Sequence, residues 1–142
     1  MHDQGVGFYL DRTLKRISAT YETLFRQQGY DLTIEQWVIL HQIHHLGKGC
    51  SQREIVQTNY RDRSTISRVI KKLGEKGLVS KEHFPEDKKQ FRLLLTGRGR
   101  AMVAALLPHV RELRRADHHH IDARDFATFM RVLDRLFENY GT

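Results

Sequence analysis

Apolar residues recur along most of the chain with a helical period. Leu10, Leu14, Ile17, Tyr21, Leu24 and Phe25 make one stripe over about four turns, and Gly29 offers a stop. A second helix opens at Thr33, with Gln36 three residues on in a capping-box pattern, and closes at Gly47 and Gly49. Ser51 and Glu54 repeat that signal for a short third helix through Tyr60. Asp62 caps a fourth, whose inward face is Ile66, Val69, Ile70 and Leu73 and whose end is Gly74 or Gly77.

After Leu78 the period changes. "LVSKEHF" and "FRLLLT" are strand-length runs separated by the polar "PEDKKQ", which predicts a hairpin with a charged tip. Thr96 then caps a long helix running toward His120, with a kink expected at Pro108 because its ring removes a backbone hydrogen bond. A last helix follows Asp122. Its stripe of Phe126, Phe129, Met130, Leu133, Leu136, Phe137 and Tyr140 is too long and aromatic to be left in water. The expected class is mainly α (α+β): four helices, a hairpin, two helices.

Charge singles out the middle of this pattern. The 142-residue chain has net charge +7, and residues 48–100 hold 14 Lys and Arg against six Asp and Glu, so that segment carries the whole excess. Such a block attracts a polyanion, either nucleic acid or an anionic membrane. Membrane binding would need a helix with a free apolar face, and here the core claims that face; the longest apolar run, "AMVAALL", is far too short to span a bilayer. Cys50 is the single cysteine, which excludes an intramolecular disulfide or a cysteine-based zinc framework. These features point to a cytoplasmic protein without a membrane partner.

A capped short helix, a basic helix and a basic-tipped hairpin in succession make the pattern of a winged helix-turn-helix. On the fourth helix the inward row leaves Arg63, Ser64, Thr65, Ser67, Arg68, Lys71 and Lys72 on or near the outer side. Residues from Arg63 to Arg68 can meet base edges in a major groove, and Lys71 and Lys72 suit phosphate. Lys88 and Lys89 at the hairpin tip can reach a phosphate or the minor groove, and Gln52 and Arg61 complete the set expected to touch double-stranded DNA.

The same residues resemble the multiple-antibiotic-resistance regulator (MarR) family. Ser64-Thr65-Ile66-Ser67-Arg68, Gly77-Leu78-Val79 and Leu95-Thr96-Gly97-Arg98-Gly99 match its recognition helix, strand entry and wing exit, and the resemblance spans nearly the whole chain. Where the family's wing usually has Asp-Arg-Arg, this chain has Asp87-Lys88-Lys89, and lysine lacks the planar fork of arginine. Asp87 is expected to order the wing. The resemblance implies a homodimer held by residues 1–30 and 98–142 around a DNA-binding lobe of residues 31–97, on a pseudo-palindromic operator. It further implies a ligand-responsive repressor released by a small aromatic or phenolic effector.

For that effector the second helix offers Trp37, His41 and His44 on one stripe, beside the reading of Trp37 as a core residue. Nine histidines raise metal sensing, but neither His41 with His44 or His45 nor His118 to His120 makes a full ligand set, so no metal or other cofactor is expected. Cys50 precedes a helix N-terminus that can lower a thiol pKa; against that stands a plain turn residue. The peroxide-sensing branch of the family carries its cysteine in the N-terminal helix, where this chain has none. Without a phosphate loop, a nucleophile elbow or a metal motif, no enzyme activity is expected. The alternatives to a specific regulator are an architectural DNA-binding protein without an effector and a metal-responsive regulator.

Overall fold

The computed structural model describes residues 5–141 apart from Lys48, Tyr60 and Lys88. The elements are α1 (Val6–Gln27), α2 (Ile34–Leu46), β1 (Cys50–Ser51), α3 (Gln52–Asn59), α4 (Arg63–Glu75), β2 (Val79–His83), β3 (Phe91–Leu95), α5 (Gly97–Arg114), a 3-10 turn (Arg115–His118) and α6 (Ala123–Asn139). The three strands form one antiparallel sheet in the order β1-β3-β2, with Val79 opposite Leu95 and His83 opposite Phe91. This is a mainly α fold with a small winged sheet. The chain divides into two compact units, one reaching Leu107 and one from Pro108 onward.

The helix ends follow from local chemistry. Thr33 Oγ1 accepts the Gln36 N–H at 3.1 Å while the Thr33 N–H donates to Gln36 Oε1 at 3.1 Å, closing the capping box. Ser51 and Glu54 do the same for α3. Helix α4 ends at Glu75, with Lys76 as the C-cap and Gly77 at φ +73°. The Leu78 N–H donates to Leu73 O and the Gly77 N–H to Gly74 O, the paired bonds of a Schellman stop, and Leu73 and Leu78 are both buried. A positive φ is cheap only for glycine, which is why the helix gives way to the wing at Gly77.

In the first unit, α2 buries Trp37, Ile39, Leu40 and Ile43 with Phe25, Ile55, Ile66, Ile70, Leu73 and Leu93. Each fully buried aliphatic side chain contributes about 1.5 to 3 kcal/mol. Gln36, the buried polar residue of this core, is satisfied by the Thr33 N–H and by the Lys76 ammonium at 2.9 Å. In the second unit, α6 is capped by Asp122 Oδ1 and buries none of its residues. The long helix predicted to run toward His120 stops at Arg114; His120 adopts φ +61°, and the His118 ring packs against Phe126 in a tilted contact, 4.2 Å between ring centres.

Candidate nucleic-acid interface

The turn between α3 and α4 is set by Asp62, whose carboxylate accepts the Thr65 N–H at 3.0 Å. Those bonds to Thr65 hold the carboxyl below its ordinary value. With Ile66, Ile70 and Leu73 buried and Val69 half-buried, the helical period turns Arg63, Ser64, Ser67, Arg68, Lys71 and Lys72 outward, all exposed. Thr65 is half-buried. Lys72 lies 4.0 Å from Glu75, a loose exposed pair that leaves its ammonium available.

Two candidates are engaged within the protein. Gln52, the first residue of α3, donates from Nε2 to Ser67 Oγ of α4 at 2.6 Å, so these two side chains form one unit across the helix pair. Arg61 makes a 2.7 Å ion pair with Glu35 of α2, both partly exposed. A further polar link joins α2 to α3, where Gln42 bonds Thr58 and Asn59.

At the wing, Asp87 orders the tip as expected: its Oδ1 accepts the Lys89 N–H at 2.9 Å, and its N–H and C=O close onto Phe84 and Gln90. Lys88 lies outside the described residues. Arg92 pairs with Glu82 directly across the strands at 3.1 Å. Between α3, the start of α4 and the wing runs an open groove of about 710 Å3. Arg53, Arg63, Lys81 and Lys89 line it with Gln52 and Gln57 over an apolar floor of Val56, Phe91 and Leu93, and no carboxylate is among its described lining residues. Lys81 also rests 5.9 Å from the Phe91 ring centre. Arg53 and Lys81 are absent from the sequence-based set, because only the sheet brings residue 81 beside residue 53.

The expected effector side chains stand in one row along α2. Trp37 is 2% exposed and packs on Phe25, with His41 stacked on its outer side at 5.5 Å and His44 beyond it, exposed. His44 borders a hollow of about 80 Å3 with Ile43, Leu94 and Arg100, and neither Trp37 nor His41 reaches that lining. Among the described residues no three His, Cys, Asp or Glu side chains gather in a metal-holding cluster. Cys50 is neither a turn residue nor an activated thiol: it lies buried in β1 opposite Leu93, and burial, then the Glu54 charge, pushes it up to about 11.

A short helix, a turn, an exposed cationic helix and a basic-tipped sheet define a winged helix-turn-helix protein. Residues 32–91 match the MarR family. The fold is similar over nearly its whole length to a probable transcriptional regulator from Pseudomonas aeruginosa, 27% identical, with a TM-score of 0.75 and 94% of this chain and 98% of that one covered. It is also similar to the Bordetella bronchiseptica regulator BpsR, whose DNA binding is regulated by 6-hydroxynicotinic acid, at 23% identity, TM-score 0.81 and 96% of each chain. The S. aureus MepR–DNA complex superposes with TM-score 0.86 at 17% identity, over 96% of this chain and 99% of that one. The part of the chain that matches the MarR family is thus its winged helix-turn-helix, residues 32–91.

Proposed function

We propose that the chain is a cytoplasmic, ligand-responsive repressor that binds a pseudo-palindromic operator as a homodimer. The observation that carries this reading is the continuity of the cationic outer face of α4 with the carboxylate-free groove beside the wing. Arg63 and Arg68 enter the major groove, Lys71 and Lys72 hold phosphates, and Arg53, Lys81 and Lys89 take the backbone that crosses the wing. The likeness to a DNA-bound relative supports this docking mode.

The homodimer rests on apolar side chains left in water. Leu14 and Ile17 on α1 are 57% and 41% exposed, and Phe129 and Phe137 on α6 are 49% and 60% exposed. A second copy covering residues 1–30 and 98–142 removes these faces from solvent and sets two α4 helices about one DNA turn apart. An effector then acts by favouring a spacing unfit for DNA, and the relative regulated by 6-hydroxynicotinic acid supports an aromatic acid as its class. Trp37, His41 and His44 are the candidate side chains: His44 faces solvent, His41 lies between, and Trp37 backs the stack.

Selection of bound sequences from random DNA, with sedimentation of the free and bound protein, tests the reading. Enrichment of a palindrome by a dimer is expected. Binding without any enriched sequence would establish an architectural DNA-binding protein instead, and a monomer at micromolar concentration would remove the dimer.

A further inference from the structure

We propose that Gln52 is a base-reading residue for adenine and that Ser67 is its positioning residue. The proposal rests on the DNA-binding reading above and adds to it which side chain reads and which one aims. Ser67 stands on the outer face of α4, where spacing alone assigns it to a base edge. Its hydroxyl oxygen instead accepts the Gln52 Nε2–H at 2.6 Å, from a residue 15 positions earlier on a different helix. Gln52 is half-buried at the start of α3 and lines the cationic groove with Arg63.

The chemistry of the amide decides the roles. A glutamine amide has two N–H donors and one carbonyl oxygen. Ser67 takes one N–H, and the described structure gives Gln52 no other side-chain bond; with the N–H trans to Oε1 given to Ser67, the other N–H and Oε1 share one planar edge. That pair is the complement of adenine, whose N7 accepts and whose N6–H donates in the major groove. Fixing the amide before DNA arrives removes part of the ordering cost of a free glutamine, which has several rotatable bonds. Ser67 thus acts through Gln52, with one of the two acceptor sites of its oxygen taken by the amide.

The test measures base preference position by position, using the full-length protein on its selected operator and on operators with one symmetric base pair changed. For the parent protein, one A·T position is expected to discriminate by roughly ten- to hundred-fold. Gln52→Ala abolishes discrimination at that position alone, and Gln52→Glu, which can accept but not donate, shifts it toward cytosine. Ser67→Ala reduces it several-fold at the same position with an unchanged salt dependence, Ser67→Thr restores it, and Ser67→Ala added to Gln52→Ala changes nothing further. Equal preferences at every position for Ser67→Ala and the parent overturn the positioning role and leave the bond as a staple between two helices. Operator selection by the parent with no change in Gln52→Ala or Gln52→Glu overturns the base-reading role while the DNA-binding reading stands. Absence of any sequence preference in the parent overturns both.

Discussion

The Gly99 α-carbon lies so close to the Leu78 carbonyl that a Cβ at position 99 would sit 2.2 Å from the Leu78 oxygen. The contact belongs to a compact joint. The Leu78 oxygen also accepts the Thr96 N–H at 3.0 Å, the Thr96 hydroxyl donates to Gly77 O at 2.7 Å, and Thr96 Oγ1 accepts the Gly99 N–H at 3.0 Å. The exit of α4, the entry of β2 and the start of α5 therefore meet at one point, which fixes where the wing stands relative to the basic helix. The Leu-Thr-x-x-Gly step is the sequence trace of that joint.

Gly99→Ala is expected to destabilise the protein by about 1 to 3 kcal/mol, because the Leu78 carbonyl is backbone and cannot swing aside. Gly74→Ala, in α4, is the control: its Cβ would meet Val79 O at 3.9 Å, an ordinary contact. There the helix preference of alanine governs, and a gain of up to about 1 kcal/mol is expected. Urea denaturation of the two variants checks both signs. Equal behaviour would show that helix propensity, not the Leu78 contact, decides at position 99.

The cap at Asp62 links stability to acid. Its carboxyl is held below its ordinary value by the bonds to Thr65, so the folded state favours the ionised form. The cap's contribution is complete above the unfolded-state carboxyl pKa and is lost as pH falls through the lower folded value. Asp62→Asn keeps a capping oxygen without the titration, and should flatten the acid limb of a plot of thermal midpoint against pH. Asp62→Ala should lower the midpoint at neutral pH as well. An acid limb identical in Asp62→Asn and the parent would exclude Asp62 as its source.

How much of this was legible in the sequence depends on the range of the interaction. The i, i+3, i+4 row of Ile66, Val69 and Ile70 and the cap at Asp62 are local, and both α4 and its outward face follow from them. The hairpin was legible from its change of period. Strand β1 was not, because two residues carry no periodicity, and its pairing of Cys50 with Leu93 exists only once β3 is in place. The same limit hid Arg53 and Lys81, which line one groove only in the folded chain, and the pairing of Arg61 with Glu35, 26 residues away on α2. Trp37 was ambiguous for another reason. Apolar and polar positions are interleaved around α2 without one dominant face, so its stripe alone does not say which side is core.

Cys50 should behave as an inert thiol. With its pKa pushed up to about 11 by burial and then by the Glu54 charge, the thiolate is scarce at neutral pH, and the side chain is only 1% exposed. Alkylation by iodoacetamide at pH 7.5 or so is expected to be slow in the native protein and rapid in denaturant. Cys50→Ser should leave DNA affinity in peroxide the same as without it, as in the parent. Fast native alkylation, or peroxide release of DNA that Cys50→Ser abolishes, would require a reactive thiol.

The Arg61–Glu35 ion pair sets up a competition with DNA. At 2.7 Å Glu35 occupies an Arg61 nitrogen in the free protein, and both side chains remain 43% exposed, so the pair itself adds no more than about 1 kcal/mol to stability. A phosphate that recruits Arg61 must displace that carboxylate or share the guanidinium with it, which has further donors to offer. Glu35→Gln removes the competing charge while retaining the shape. The variant should unfold within about 1 kcal/mol of the parent and bind DNA more tightly at low salt, with the slope of log affinity against log salt steeper by about one phosphate contact. Arg61→Ala should weaken binding evenly across sequences, and Glu35→Gln should then have little further effect in the Arg61→Ala background. If Glu35→Gln tightens binding equally with and without Arg61, the gain is a general change in surface charge, and Arg61 is not the residue that Glu35 withholds from DNA.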